Sequence, residues 1–261
     1  MDSSPLKLEE ARQALTNGTG KGVRIAVLDS GIEIDHPELV GLELIDDLHV
    51  IDGGIQIEVR SGDGTDIFGH GTAVAGVIRG IAPDAKIGSI RVLGESLVSR
   101  TVIIREGIRQ AIDRGYRILN CSFGCGLADH IFQYKEWIDE AYLNGIHIVS
   151  ACNNLDFRRP EWPGYFPTVI TVNMAQLDDE GTFFYKSGHL VEFFARGVDI
   201  TLPWNHHLTK EVTGSSFAAP VLTGLLARLI SVFPTLRPLE AKALLHRLAI
   251  PWRKEVSAPN M

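Results

Sequence analysis

Short apolar stretches alternate along this chain with segments whose apolar residues recur at helical spacing. The apolar stretches predict buried core strands, and they lie at residues 23–28, 87–92, 118–121, 146–151 and 169–172. Residues 101–114 and 129–143 have helical spacing, and a glycine closely follows each segment, as at many helix ends. Alternating strands and helices are typical of a parallel sheet covered by helices, so the pattern predicts the α/β class.

Three polar residues lie at the ends of predicted elements. Asp29 directly follows the stretch 23–28, which places it at the carboxyl end of a strand, where open α/β sheets carry their chemistry. His70 precedes small and apolar residues, and we expect it to begin a buried helix. We expect Ser216 to begin another helix, which continues to Leu229 and is central because it is apolar on nearly all faces. The dipole of that helix favours negative charge near Ser216.

The remaining pattern predicts a single domain. No internal repeat, low-complexity segment or linker divides residues 1–261, which we describe as one domain with an N-terminal segment at 1–20 and a C-terminal tail at 250–261. Residues 48–59 alternate in polarity around Asp52-Gly53-Gly54 and predict a surface hairpin. A chain of 261 residues is long enough to bury a large core.

Composition narrows the class of protein. Hydrophobic residues make up 45% of the chain and charged residues 22%, which are ordinary values for a globular protein. The net charge of −7 and the lack of a basic cluster with interleaved aromatic residues argue against nucleic acid as a partner. We find no apolar run of the roughly 18 residues that would cross a bilayer, so no membrane partner is predicted.

The N-terminal residues and the cysteines bear on location. Residues 1–6 lack the basic and apolar regions of a signal peptide. The chain has three cysteines, an odd number that does not make a disulfide framework. Both observations predict a cytoplasmic protein.

The three polar residues lie in short motifs, which read IAVLDSG at 25–31, HGTAVAG at 70–76 and GSSFAAP at 214–220. In a Ser-His-Asp nucleophile the imidazole takes the serine proton and the carboxylate orients the imidazole. In the chain order Asp, His, Ser, these motifs resemble the subtilisin-like serine proteases, over roughly residues 17–248. The resemblance implies a three-layer α/β/α sandwich with a mostly parallel central sheet, and a catalytic triad of Asp29, His70 and Ser216.

The same resemblance implies an oxyanion hole. Residues 149–153 follow a predicted strand and resemble the subtilase segment that ends in the oxyanion asparagine. Asn153 is thereby assigned as one donor, with the backbone N–H of Ser216 as the second. The alternative is that Asn153 forms a turn before Asn154. Cys152 stands where the family usually has glycine, which leaves the shape of the substrate pocket open.

Two segments resemble the strands with which subtilases bind an extended peptide. Residues 122–124 correspond to one wall of the primary specificity pocket, and residues 96–98 correspond to the opposite edge. Larger residues replace the family's usual glycines at 96–98, which predicts narrower distant subsites. The residues assigned to substrate binding by resemblance are Ser96, Leu97, Val98, Ser122, Phe123, Gly124, Glu161 and Asp66.

Glu161 and Asp66 would bring carboxylates to the substrate. Glu161 begins a segment that resembles the loop at the floor of the pocket, at a position often held by glycine. A carboxylate at the base of an otherwise closed pocket favours a cationic side chain, so we predict cleavage after Lys or Arg. The alternative is that Glu161 pairs with Arg158 or Arg159. Asp66 occupies a position that lines the adjacent subsite in the family.

No cofactor is predicted. Many subtilases bind calcium in a loop between the histidine helix and the next strand, but residues 76–86 leave no room for it, so we expect the tight calcium site to be absent. A weaker site stays open, although a solvated acidic face is the alternative, and the spacing of the available aspartates fits no calcium cage. Those aspartates are Asp46, Asp47, Asp52, Asp63 and Asp66.

The cysteines do not indicate a metal site either. Cys121, Cys125 and Cys152 have no zinc-ligand spacing to one another or to a histidine. We predict them to be inert buried thiols.

The sequence as a whole predicts a serine endopeptidase that hydrolyses proteins or peptides through an acyl-enzyme. Two alternatives remain open. The first is a dedicated maturation or effector protease with one protein substrate and a docking or regulatory partner. The second is a pseudoprotease that uses the groove only to bind peptides.

Overall fold

The structure is a computed structural model that describes residues 8–252. The helices are α1 (Leu8–Asn17), α2 (His70–Ile81), α3 (Thr101–Asp113), α4 (Ile131–Leu143), α5 (Ser215–Val232) and α6 (Pro238–Leu248). The strands are β1 (Arg24–Asp29), β2 (Asp47–Asp52), β3 (Ile57–Ser61), β4 (Lys86–Arg91), β5 (Ile118–Cys121), β6 (His147–Ala151), β7 (Ile170–Ala175), β8 (Phe183–Tyr185), β9 (Phe193–Arg196), β10 (Ile200–Trp204), β11 (Leu208–Val212) and β12 (Ile250–Pro251).

One large sheet has the strand order β12-β8-β9-β7-β6-β5-β1-β4-β2-β3. Its central strands, from β4 through β1, β5 and β6 to β7, pair in parallel, and antiparallel pairs occur toward its edges. The chain places β4 on one side of β1 and β5 on the other. The carboxyl end of β1 therefore lies at a topological switch point, where open α/β sheets bind their ligands.

Helices cover both faces of this sheet. Successive residues of a strand point to opposite faces, and Ile25 and Val27 of β1 pack in a core that includes residues of α2 and α5. Ala26 and Leu28 pack in a second core that includes residues of α3 and α4. The predicted α/β/α sandwich with a mostly parallel sheet is confirmed.

Helix α5 is the central helix of its layer and packs against α2, β5, β6, β7 and β9. It has 18 residues and a mean hydropathy of 1.5, so length and composition alone would allow it to cross a membrane. That corrects the expectation that the chain has no such run. Because 78% of the helix is buried inside the protein, its place in the core accounts for its apolar composition.

The predicted core strands lie within a few residues of the observed ones, and the hairpin at 48–59 is the antiparallel pair β2–β3. Two helix starts differ. A short 3₁₀ turn, Ala128–His130, precedes α4, so Asp129 does not cap that helix. Helix α5 begins at Ser215, which makes Ser216 its second residue.

Candidate active site

Asp29 and His70 meet at the carboxyl end of β1. The Nδ1 atom of His70 lies 2.8 and 2.9 Å from the two carboxylate oxygens of Asp29. Both residues are buried, with 1% of Asp29 and 5% of His70 exposed. Gly71 allows this approach, because a Cβ atom there would lie 2.1 Å from the carbonyl oxygen of Gly31. The start of α2 can therefore pack directly on the segment that follows β1.

A second carboxylate, that of Asp66, holds this corner together. Its Oδ1 accepts hydrogen bonds from Ser30 Oγ at 2.8 Å and from the Gly69 N–H at 2.7 Å. Its Oδ2 accepts from the N–H and the hydroxyl of Thr72 at 2.8 and 2.7 Å. Asp66 is 7% exposed. Both of its carboxylate oxygens accept hydrogen bonds from groups in or beside the first turn of α2. This corrects the assignment of Asp66 to a substrate subsite, because its proximity to His70 in sequence reflects helix capping.

The environment of His70 favours the charged ring. Burial alone disfavours the charge, but the negative charge of Asp29, its hydrogen bond and the more distant charge of Asp66 outweigh burial. Together they raise the pKa of His70 above its usual value of 6.5. The site therefore stabilises an imidazolium ion at this position.

Ser216 lies in the first turn of α5, a helix that packs against α2. It is partly exposed, and its Oγ donates to the carbonyl oxygen of Ser122 at 3.3 Å. The ring of the next residue, Phe217, lies 5.1 Å from the ring of His70, measured between centroids. Asp29, His70 and Ser216 are far apart in sequence, and the structure brings them to adjoining ends of β1, α2 and α5.

A series of buried, hydrogen-bonded side chains holds the backbone of Ser216 in place. The Ser122 hydroxyl donates to the carbonyl oxygen of Ser216 at 2.9 Å. Asn120 donates to that hydroxyl at 2.8 Å and accepts from the hydroxyl of Thr223 at 2.8 Å. The side chain of Ser122, assigned from the sequence to substrate binding, therefore positions the backbone of Ser216. Asn120 and Thr223 escaped the sequence analysis because each looks like an ordinary residue of a core strand or helix.

Residues 152–154 hold the first turn of α5 through two hydrogen bonds to Ser215. The Ser215 N–H donates to Asn154 Oδ1 at 2.8 Å, and the Ser215 hydroxyl donates to the Cys152 carbonyl oxygen at 2.7 Å. Sequence reasoning treated Asn154 only as a turn neighbour and missed this contact. The two bonds hold the segment that contains Asn153 against the start of α5.

The amide of Asn153 is held at both of its polar atoms. Its Oδ1 accepts hydrogen bonds from the N–H groups of Leu155 and Asp156, both at 2.9 Å. Its Nδ2 donates to Oε1 of Glu161 at 2.6 Å. Asn153 does form a turn, as the alternative interpretation expected, and its N–H₂ group takes no part in the two hydrogen bonds of that turn.

Glu161 is half-buried, and its carboxylate lies beside Gly124 and Asn153. Burial raises the pKa of Glu161 above its usual 4.5, and the hydrogen bond from Asn153 partly offsets that increase. A Cβ atom at Gly124 would lie 2.4 Å from Oε2 of Glu161, so only glycine allows this approach. Arg158 pairs with Asp156 at 3.0 Å. Within residues 8–252, no ion pair joins Glu161 to an arginine, contrary to the alternative interpretation.

Comparison with known proteins identifies the family at this point. The sequence model of the Subtilase family matches residues 20–259. This chain belongs to the subtilase family. The identification suggested by the three motifs is thereby confirmed.

The relatives of this subtilase are serine proteases. It is 28% identical over 230 residues to Thermitase of Thermoactinomyces vulgaris, covering 87% of this chain and 81% of that one. It is 32% identical over 228 residues to the Intracellular serine protease of Paenibacillus polymyxa, covering 80% and 66%. It is 30% identical over 243 residues to the Major intracellular serine protease of Bacillus subtilis (strain 168), covering 85% and 73%.

A solved structure gives the same result. The crystal structure of a cold adapted subtilisin-like serine proteinase superposes with a TM-score of 0.72 at 25% identity, covering 88% of this subtilase and 83% of that chain. This subtilase is therefore a hydrolase, a serine endopeptidase whose substrates are proteins or peptides.

A groove of the subtilase lies between the segments 93–104 and 123–134. Its volume is about 670 Å³, and Leu97, Val98, Phe123 and Gly124 are among its lining residues, whereas Ser96 is not. The larger residues at 97 and 98 form one side of this groove. That these larger residues narrow the distant subsites stays a prediction.

The link between α2 and β4 is short in the subtilase. Helix α2 continues unbroken to Ile81, and β4 begins at Lys86, which leaves no inserted loop. The aspartates considered from the sequence have protein partners instead, for example Arg24 for Asp46 and Arg100 for Asp52. Among residues 8–252, one group with metal-ligand geometry consists of Glu33, Asp35 and His207, which lie at the surface and include none of those aspartates.

The three thiols of the subtilase are free, and two of them match the prediction of buried cysteines. Burial raises the pKa of Cys152 to about 12 and raises that of Cys121 as well, which makes both poor nucleophiles. Cys125 differs, because it is partly exposed and lines the groove.

Proposed function

We propose that this subtilase hydrolyses peptide bonds with Ser216 as nucleophile, His70 as general base and acid, and Asp29 as the group that orients His70. The contact of both Asp29 oxygens with His70 Nδ1, at 2.8 and 2.9 Å in a buried site, carries this proposal. It fixes the proton on Nδ1, so that Nε2 is left with the lone pair that a general base needs.

The reaction begins when the Ser216 hydroxyl turns from the Ser122 carbonyl toward His70, a rotation about one side-chain torsion. Hydrogen bonds of this kind often become short only when substrate is present. Ser216 Oγ then attacks the scissile carbonyl carbon while its proton passes to Nε2 of His70. The new C–O bond leaves a negative charge on the carbonyl oxygen, and the imidazolium that forms is stabilised by Asp29.

Collapse of this intermediate breaks the C–N bond. The leaving amine takes the proton from His70, and the acyl group stays on Ser216. Water then repeats the sequence, losing a proton to His70 and releasing the carboxylic acid, so that Ser216 and His70 return to their starting states. We assign the N–H₂ group of Asn153 and the N–H of Ser216 as donors to the oxyanion in both halves.

A fluorophosphonate probe tests the proposal. It phosphonylates only an activated serine, so we expect stoichiometric labelling of Ser216 at neutral pH, located by mass spectrometry of the digested protein. The variant Ser216→Ala serves as the matched control and should take no label. A folded wild-type protein that stays unlabelled would instead favour a peptide-binding pseudoprotease.

We further propose that the enzyme cleaves after Lys or Arg. The half-buried carboxylate of Glu161 lies between Gly124 and Asn153, and no arginine of the described residues neutralises it. A charge of this kind is costly until a counter-ion reaches it, and a substrate cation supplies one.

Peptides that differ only in the residue before the scissile bond decide this preference. We expect kcat/KM to be at least about 10-fold higher with Arg than with Phe, because one paired, partly buried charge is worth on the order of 1–2 kcal/mol. A clear preference for Phe would contradict the predicted cleavage after Lys or Arg and would leave the assignment of the triad unaffected.

Since two relatives are named intracellular serine proteases, we also propose a cytoplasmic location, which fractionation of the native host would check.

A further inference from the structure

We propose that Glu161 couples occupation of the specificity pocket to the oxyanion donor Asn153, so that a cationic substrate side chain raises kcat and does not only improve binding. This inference rests on the proposed function, since it assumes that Asn153 stabilises the oxyanion. It goes beyond a simple charge preference, because it connects the residue that would select the substrate with a residue that would act in the transition state.

The fixed orientation of the Asn153 amide is the first observation. Two backbone N–H groups, from Leu155 and Asp156, hold Oδ1 at 2.9 Å each, so the amide plane cannot turn without breaking both bonds. Nδ2 is therefore directed toward Glu161, and their distance of 2.6 Å is that of a short, charge-assisted hydrogen bond. One of the two N–H bonds of this amide is committed to the carboxylate.

The charge of Glu161 is the second observation. An ionised carboxylate that accepts a hydrogen bond from Asn153 reduces the positive character of the Nδ2 group. With a neutral side chain in the pocket, Glu161 therefore weakens Asn153 as a donor to the oxyanion.

The position of the carboxylate is the third observation. Oε2 of Glu161 lies close to Gly124, where a Cβ atom would be only 2.4 Å from it, and Gly124 lines the groove. A side chain that enters the groove at Gly124 therefore comes near the carboxylate. Arg158 is already paired with Asp156. A lysine or arginine of the substrate therefore supplies the counter-ion. It draws the carboxylate charge away from Asn153 and so strengthens the amide as a donor to the oxyanion.

Peptides with Arg or citrulline before the scissile bond separate this coupling from binding, because citrulline has nearly the shape of Arg without its charge. For the wild-type enzyme we expect kcat to be about 10-fold or more higher with Arg, beyond any difference in KM. In Glu161→Gln, which keeps the side-chain shape but removes the charge, we expect the kcat of the citrulline peptide to rise several-fold and the two kcat values to agree within about 2-fold.

A double-mutant cycle shows whether the effect passes through Asn153. In an Asn153→Ala background, the gain in kcat that Glu161→Gln brings to the citrulline peptide should disappear. Glu136→Gln is the control, since Glu136 is an exposed glutamate on α4 that pairs with Arg105, and it should change neither kcat value. Melting temperatures of all variants show that each is folded.

The coupling is overturned if the wild-type enzyme distinguishes Arg from citrulline in KM alone, a result that needs no variant. It is also overturned if the gain from Glu161→Gln persists without the Asn153 amide. Failure of the proposed function has a different signature. If the wild-type protein takes no fluorophosphonate label and hydrolyses neither peptide, the assignment of the triad is wrong, and this inference is wrong as well.

Discussion

Replacing Ser216 by alanine is expected to lower kcat by roughly 10⁶, the loss measured in a subtilisin when its catalytic serine is removed. The physical reason is that water must then attack the carbonyl without a nucleophile held in place, and no covalent intermediate divides the reaction into two easier steps. Residual hydrolysis of roughly 10³-fold over the uncatalysed rate is expected from the oxyanion donors and substrate binding. The measurement is the turnover of a chromogenic peptide at saturating concentration.

The same variant is expected to keep its fold. The Ser216 hydroxyl is partly exposed and makes one long hydrogen bond, 3.3 Å to the Ser122 carbonyl. Its removal should change the free energy of unfolding by no more than about 0.5 kcal/mol, as for most partly exposed sites. Denaturant unfolding of both proteins checks this. Full activity in a preparation free of contaminating protease would require a different nucleophile.

Changing Asp29 to asparagine is expected to lower kcat by about 10⁴, as the equivalent change does in a serine protease. The asparagine keeps the shape of the side chain but can donate an N–H to Nδ1 of His70. The ring then has its proton on Nε2, which is the wrong tautomer for accepting the proton of Ser216. The variant also loses the charge that stabilises the imidazolium.

Ser30→Ala is the matched control for that change. Its hydroxyl donates to Oδ1 of Asp29 at 3.3 Å and to Asp66 at 2.8 Å, but the carboxylate and its contact with His70 remain. We expect kcat to fall by less than about 10-fold, since Asp29 loses only one long hydrogen bond, and one hydrogen bond is worth about 1 kcal/mol. Equal losses in the two variants would show that Asp29 acts through packing and not through its charge.

The pH profile is the second readout of the Asp29 prediction. His70 must be neutral to accept a proton, and Asp29 raises its pKa above 6.5. The kcat/KM of the wild-type enzyme should therefore fall as the pH drops through an apparent pKa above 6.5, and stay high at more alkaline pH. In Asp29→Asn the negative charge is lost, and burial becomes the main influence on the pKa of His70. The fall in kcat/KM should therefore occur at lower pH than in the wild-type enzyme. A wild-type limb at or below 6.5 would contradict the assignment.

Local patterns predicted most of the framework. The apolar stretches correspond to β1, β4, β5, β6 and β7 because a strand buried on both faces is apolar at most of its positions. Other elements were not predicted, among them α1, α6 and the pair β10–β11. Strand β11 is exposed at four of its five positions, so it has no apolar pattern to detect.

The order of the motifs and their places at strand and helix ends were enough to select Asp29, His70 and Ser216 as candidates. Each of these residues lies in a short motif that is recognisable from its neighbours in the sequence. The roles of the groups around them depended on distances between segments, which spacing along a chain does not contain. Only the folded chain turned Asp66 inward to cap α2, placed Ser122 under Ser216, and set Glu161 at 2.6 Å from Asn153. The physical reason is that a polar side chain bonds to whatever donor or acceptor the packing brings near, and tertiary packing alone determines that partner.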